Sequence, residues 1–321
     1  MQNVHTENMK GIDYGAGVKA KPKRKSKKAL NDLPLFYKLL LNLIFIAVTI
    51  TCLWPILLAI GISFTDEASL MKDGYNVIPR QFSFDAYNYL FTNLNQIMNA
   101  YKTTIFNTVT GVLLSVMMIA FYAYPLSRKD FKYRKFFTFL IFVTMIFNGG
   151  MVPWYLVCSR ILHLQNTVWA MIIPYLFSAW YVIILRTFFT LNIPDSLIEA
   201  AKIDGAGEFL IFFKLILPLS LPGIATIALF QTLGYWNDWW LPLMLVSKPE
   251  LSNLQFLLYR ILTNVQVIAE NSAYISGEAA KVPTESVRMA ICIVAIGPII
   301  LAYPFFQRYF IQGLTVGAIK G

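Results

Sequence analysis

Pro194-Asp195-Ser196-Leu197-Ile198-Glu199-Ala200-Ala201-Lys202-Ile203-Asp204-Gly205-Ala206-Gly207 is a short polar stretch between two long uncharged runs. Ser196 and Glu199 have the S-x-x-E spacing of a capping box, which satisfies orphan amides at a helix start. Ala200 and Ala201 favour helix and leave room for another surface to approach closely. Gly205 and Gly207 can take positive φ and end the helix. A second helical run from Glu208 to Leu217 then leads to Pro218. The stretch therefore reads as a small-faced helix–turn–helix elbow, stiffly joined to the apolar runs on either side. That shape suits a knob pressed into a groove on another protein.

The runs that flank it set the fold class. Of 321 residues, 57% are hydrophobic and only 14% charged, where soluble domains carry about a quarter charged residues. The apolar residues fall in uncharged windows of about 20 residues, the length that crosses about 30 Å of hydrocarbon as a helix. Six such windows are expected to span: Leu39 to Phe64, Thr103 to Ser127, Phe136 to Cys158, Thr167 to Leu185, Leu215 to Trp236 and Met289 to Gln307. None contains Asp, Glu, Lys or Arg. Pro55, Pro174, Pro222 and Pro298 fall inside them and are tolerated where neighbouring helices satisfy the freed backbone groups. The expectation is an all-α membrane protein. It has a basic tail over 1–38, a six-helix domain over 39–310 and a C-terminal tail over 311–321.

Lys and Arg set the orientation, because cytoplasmic loops carry their excess. With the N-terminus inside, nineteen of the 27 fall on the inner side and eight on the outer. The short loop holding Arg128, Lys129, Lys132, Arg134 and Lys135 weighs most. Both termini are then cytoplasmic, as is the elbow region 192–218, while the long segments 65–102 and 237–288 face out. The second outer segment adjoins Tyr235, Trp236, Asn237, Asp238, Trp239 and Trp240. These read either as an aromatic belt at the lipid interface or as a docking surface for an external partner. The net charge of +10 is concentrated in the tail, at Lys19, Lys21, Lys23, Arg24, Lys25, Lys27 and Lys28. With no recognition-helix pattern and no zinc spacing, nucleic acid is excluded as a partner. Anionic lipid head groups are the natural counterpart of these charges.

The missing chemistry is informative. No G-x-x-x-x-G-K-[ST] loop occurs, so nucleotide is not held by that route. Gly15-Ala16-Gly17-Val18-Lys19-Ala20 mimics a dinucleotide fingerprint, but follows no strand and opens no helix. Cys52, Cys158 and Cys292 and the distant His5 and His163 form neither a disulfide framework nor a metal set. The apolar run after the basic start is too long for a cleaved signal and reads as a first span. The spans also lack the buried carboxylate of an ion-coupled carrier. A secondary carrier would explain six spans but not the elbow, and a lipid-acting enzyme would need a catalytic constellation that does not appear. Any driving chemistry therefore resides in another chain.

The elbow also resembles a known motif. Glu199-Ala200-Ala201, then Asp204-Gly205, then Leu217-Pro218 resemble the EAA loop of bacterial ABC importer permeases, with spacing kept and Leu215 where the family usually has Ile. The resemblance runs over nearly the whole chain and lies with the carbohydrate-uptake branch. It is similar there to the smaller permease subunit of the maltose importer and to LplC-like permeases of gene clusters handling complex or uronic-acid oligosaccharides. Gly234 to Trp240 and the ending Gly313-Leu314-Thr315-Val316-Gly317-Ala318-Ile319-Lys320-Gly321 support it. The resemblance implies a type I importer permease fold in the bacterial cytoplasmic membrane, with no cofactor of its own. It implies a homologous second permease, two ATPase subunits carrying ATP and Mg, an external solute-binding protein and a carbohydrate substrate contacted mostly by the partner permease. The residues implied to meet the ATPase are Glu199, Ala200, Ala201, Asp204, Gly205, Leu217 and Pro218. The tail residues Gly313, Leu314, Thr315, Gly317, Lys320 and Gly321 are implied to reach it as well.

Overall fold

A computed structural model describes residues 34–92, 94–270 and 283–318. Their regular elements are helical, with one isolated bridge between Thr65 and Phe82. The chain divides between Trp54 and Pro55 into two compact units. The first contributes the opening residues of α1 (Leu35–Ser63), and the apolar side chains there are exposed all round. A helix that is apolar on every face needs lipid or another helix around it.

The second unit begins with the end of α1. Two short helices follow, α2 (Glu67–Asp73) and α3 (Asp85–Phe91), and then the long α4 (Leu94–Ser127). α1 and α4 are each long and apolar enough to cross a bilayer unaided. Three further expected spans are broken. The Phe136 to Cys158 window is not one helix. α5 (Arg134–Ile146) meets α6 (Met151–Leu156) and the π turn Val157–Ile161 at 114°. The break falls at Asn148, whose Oδ1 accepts the Gly150 amide at 2.8 Å and closes a turn. The Thr167 to Leu185 window opens as the 3-10 turns Val168–Met171 and Ile173–Tyr175. It then bends by 50° into α7 (Ala179–Asn192), which runs seven residues past the expected end.

The elbow comes next as α8 (Asp195–Ile203) and α9 (Glu208–Ile211), followed by the π turn Phe212–Ile216 and α10 (Leu217–Leu219). The expected continuous span from Leu215 to Trp236 then bends by 79° into α11 (Leu221–Trp236). Pro222 explains the break, since it has no amide for the carbonyl four residues back and its ring crowds that carbonyl. After α11 come α12 (Trp240–Leu245), α13 (Leu254–Glu270) and the 34-residue α14 (Glu285–Ala318). The region 311–318, expected as a separate tail, continues α14 as helix.

α4 is the hub of this unit. Ile119, Ala120, Ala123 and Leu126 share a core with Val182, Leu185 and Phe189 of α7, with Ile227 of α11 and with elbow residues Ile198, Ile211, Phe212 and Ile216. Gly111 lets α11 approach, because a Cβ there would lie 2.5 Å from the Tyr235 ring. Buried polar contacts fix the register. Gln231 Nε2 donates to Ser115 Oγ at 2.6 Å, Tyr235 Oη to the Ile172 carbonyl at 3.0 Å, and Trp236 Nε1 to the Ala295 carbonyl at 3.2 Å. Such contacts add about 0.6 kcal/mol each in membrane bundles, so they specify register more than they stabilise.

At the other end of the bundle, Glu67 caps α14. Its carboxylate accepts from the Glu285 and Ser286 amides at 3.0 and 3.2 Å, and from the Thr284 and Ser286 hydroxyls at 2.9 and 3.0 Å. Burial alone would raise the Glu67 carboxyl, but these four donors outweigh it and hold it below its ordinary value.

Candidate functional site

The elbow is a bounded helix whose two ends are built differently from the sequence pattern. The capping box is not formed. Pro194 is the N-cap, no side chain caps the amides, and the helix starts at Asp195. Ser196 therefore lies inside the first turn, and Glu199 is too far along to reach back. Asp195 supplies negative charge near the helix start and pairs with Lys129 at 2.8 Å. The C-terminal end is a complete Schellman motif. The Gly205 amide donates to the Lys202 carbonyl at 3.0 Å and the Ala206 amide to the Ala201 carbonyl at 2.9 Å, with Gly205 at φ +81°. Gly207 does not share this role. Its φ is −73°, and it is the N-cap of α9.

One face of the elbow is anchored. Ile198 is buried, Ala201 packs against the core, and Ile211 and Phe212 are buried behind them. The other face is exposed among the described residues. Glu199, Ala200, Asp204 and Gly205 are exposed, Ile203 is 86% exposed and Phe209 74%. A Cβ placed on Gly205 would meet nothing within 4 Å. Two apolar side chains held out beside small residues on a stiff mount present a surface suited to a partner. Leu217 is half-buried and Pro218 exposed, both behind the tip.

A network that the motif does not contain ties this mount to the end of α4. Asp130 accepts from Arg128 Nε and Nη2 at 3.1 and 2.9 Å and from Lys202 Nζ at 3.0 Å. Lys202 also pairs with Glu208 at 2.7 Å, and Tyr124 Oη donates to Glu208 Oε2. The Arg128 guanidinium, joined by Lys202, holds the Asp130 carboxyl down at about 2. Glu208 and then Asp130 push the Lys202 ammonium above its ordinary value. Sequence reasoning gave Lys202 and Arg128 no part in this network. The available signal was Asp130, the lone acid in an otherwise basic loop facing a lysine in the next one.

The remaining expected site residues are dispersed. Of the aromatic cluster, Tyr235, Trp236 and Asp238 are buried and cannot form a docking surface. Asp238 Oδ1 accepts the Trp240 and Leu241 amides, and Tyr175 Oη donates to it. Trp240 stacks at a tilt on Trp154, which leaves Asn237 and Trp239 exposed, the latter stacked on Tyr259. Gly313, Leu314, Thr315 and Gly317 lie on the last turns of α14, while Lys320 and Gly321 are outside the described residues.

Residues 106–316 match the family described as binding-protein-dependent transport system inner membrane component. The chain belongs to that family. Its members are membrane-spanning transport subunits rather than enzymes, and ATP hydrolysis belongs to a partner chain. The family assignment places this chain in the inner membrane. Among its relatives is the polygalacturonan/rhamnogalacturonan transport system permease protein YtcP of Bacillus subtilis. That protein is 38% identical over 84% of this chain and 93% of its own length. Protein LplC of the same organism is 35% identical over 83% of this chain and 89% of its own length. Among solved structures, a chain of a bacterial ABC transporter involved in the import of the acidic polysaccharide alginate superposes with a TM-score of 0.72. It is 29% identical, over 86% of this chain and 96% of that one. The permease fold of such importers is thus the fold of this chain, and the elbow lies within the residues that match the family.

Proposed function

We propose that this permease carries an acidic oligosaccharide across the membrane as one half of a type I importer, driven by ATPase subunits that grip the elbow. The observation that carries the reading is the elbow itself. It is mounted on the core shared by α4, α7 and α11, and its outer face, Glu199, Ala200, Ile203 and Gly205, is exposed among the described residues. The remaining parts follow from the family. A second permease encloses the pathway, two ATPases holding ATP and Mg bind below, and a solute-binding protein delivers sugar from outside. Six spans with both termini and the elbow on the cytoplasmic side agree with the Lys and Arg distribution. α1, α4 and the three bent helix pairs are candidates for five of these spans by length and composition, and the 34-residue α14 is taken as the sixth in this reading. In this arrangement 1–38 is the basic tail, 39–310 the transmembrane domain, and 65–102 and 237–288 the outer segments.

The substrate class rests on the relatives. One is named for polygalacturonan and rhamnogalacturonan and the matching structure for alginate, and these polymers share uronic-acid units. Cells lacking this permease gene should lose uptake of labelled oligogalacturonides and regain it with the gene restored. Unchanged uptake of every uronic-acid oligosaccharide, with loss of a neutral one, would overturn the acidic assignment. The alternative of a carrier without ATPase fails if uptake in energised vesicles requires internal ATP.

A further inference from the structure

Far from the elbow in sequence, a cleft of about 280 Å³ opens between the end of α3, the first turn of α4 and the middle of α13. Its floor is apolar, made by Leu90, Ile97 and Leu257, all buried. Its rim is polar. Tyr89 and Gln96 are half-buried there, and Arg260 and Asn264 are exposed one turn apart on α13. Among the described residues that line the cleft, Arg260 is the sole charged group. The walls are fixed by the chain itself. The Leu254 amide donates to Thr104 Oγ1 at 2.8 Å, and Leu257 packs with Ile97 and Ala100, so α13 is held on α4.

The polar rim is unspent. The side chains of Tyr89, Gln96, Arg260 and Asn264 hold no hydrogen bond or ion pair among the described residues. The Arg260 guanidinium lies over the Phe256 ring, 5.9 Å from its centroid, a contact that uses the face of the group and not its N–H edges. A guanidinium edge meets a carboxylate through two parallel N–H···O bonds. Carboxamides and a phenol supply both donors and acceptors for hydroxyls. An apolar floor suits the C–H face of a sugar ring.

We propose that this cleft is a subsite for one uronic-acid unit of the substrate, its carboxylate on Arg260 and its hydroxyls on Tyr89, Gln96 and Asn264. This rests on the acidic-oligosaccharide reading above, and on the orientation that puts 65–102 and 237–288 outside. Every lining residue falls in those two segments. The volume lies near the lower end of small-ligand sites, about 300 Å³, which is room for one sugar unit and not a chain. Further units extend outward past the exposed Thr92 and Asn264. A carboxylate on a docking protein would engage Arg260 but leave Tyr89, Gln96 and Asn264 idle. The subsite holds the charged end of the sugar at the outer mouth and favours acidic over neutral oligomers.

The test uses the whole importer in lipid nanodiscs, without binding protein or ATP. Thr92→Cys, at the rim, is placed in a permease lacking Cys52, Cys158 and Cys292, and its alkylation rate is read by mass spectrometry. Trigalacturonate should slow alkylation at 92, and its uncharged methyl ester at the same concentration should not. Adding Arg260→Gln should raise the trigalacturonate concentration for half-protection about 10- to 100-fold. Asn264→Ala should raise it about 2- to 10-fold. Arg260→Lys, which keeps the charge without the planar fork, should fall between wild type and Arg260→Gln. Equal protection by the ester, or half-protection unmoved by Arg260→Gln, would overturn the subsite. So would protection by added binding protein with none from the sugar, which would make the cleft a docking face. Uptake by the wild-type importer separates the two readings. If oligogalacturonides are imported but give no protection, the subsite alone is wrong. If no uronic-acid oligosaccharide is imported, the acidic reading has failed and the subsite falls with it.

Discussion

Replacing Gly205 separates the strength of the elbow from its use. At φ +81° a residue with a β-carbon is strained by about 1–2 kcal/mol, and Asn suffers less because it visits this region. No steric cost adds to this from the described residues, none of which lies within 4 Å of the Cβ position. The buried anchor of Ile198, Ile211 and Phe212 is untouched, so the loss stays local and the chain should insert at normal levels. On the outside, any side chain at 205 stands where a closely packed partner would press. Gly205→Asp and Gly205→Asn should therefore both lose uptake and co-purifying ATPase, although Asn removes most of the backbone strain. Packed interfaces shift between discrete arrangements rather than deform smoothly, so the loss should exceed the intramolecular strain, which is worth at most about 30-fold. If Gly205→Asn restores ATPase binding and uptake while Gly205→Asp does not, strain or charge rather than occupied space is the cause. If both variants bind ATPase normally, the coupling assignment is wrong.

Two further outcomes test the scaffold. Glu67→Ala removes a cap made through two amides and two hydroxyls, and should lower the stability of the α14 start by about 1–2 kcal/mol, read as faster amide exchange there. Because the Glu67 carboxyl sits below its ordinary value, the cap's contribution is complete above the ordinary carboxylate range. It is lost as pH falls through the lowered value, so acid should reproduce the mutant's exchange in the native protein. Gly111→Ala drives a methyl into the Tyr235 ring and should cost about 1–3 kcal/mol, lowering the unfolding temperature of the purified complex. Gly234→Ala, with nothing within 4 Å, should leave it unchanged.

The sequence made the membrane class and the elbow legible because both depend on local composition. Uncharged windows of bilayer length mark helical crossings wherever they pack, and a Gly at the end of a short helix has one economical conformation. What it hid depends on neighbours. Ser196 and Glu199 have capping-box spacing, but the chain enters through Pro194 and the box slips into the helix. The Asn148 and Ser220 breaks lie within uninterrupted apolar runs, where hydropathy averages over a bend that turn chemistry and Pro222 impose. Asp130 and Lys202 are 72 residues apart, so their pairing could not be read from either loop alone. Tyr235, Trp236 and Asp238 look like an exposed aromatic patch in sequence and prove to be the seam of α11 with α4, α12 and α14.

The central claim is that the outer face of α8 is where ATP-driven force enters this chain. The direct measurement is disulfide trapping in the assembled importer, with single cysteines at Ala200 and, as a control, Ala201 in a background lacking Cys52, Cys158 and Cys292. Ala200 is exposed on the free face and Ala201 packs inward. Cysteine at 200 should cross-link to a scanned set of ATPase cysteines and stop uptake until reduced, whereas cysteine at 201 should not cross-link. Failure of 200 to link to any ATPase position, in a complex that still transports, would contradict the account.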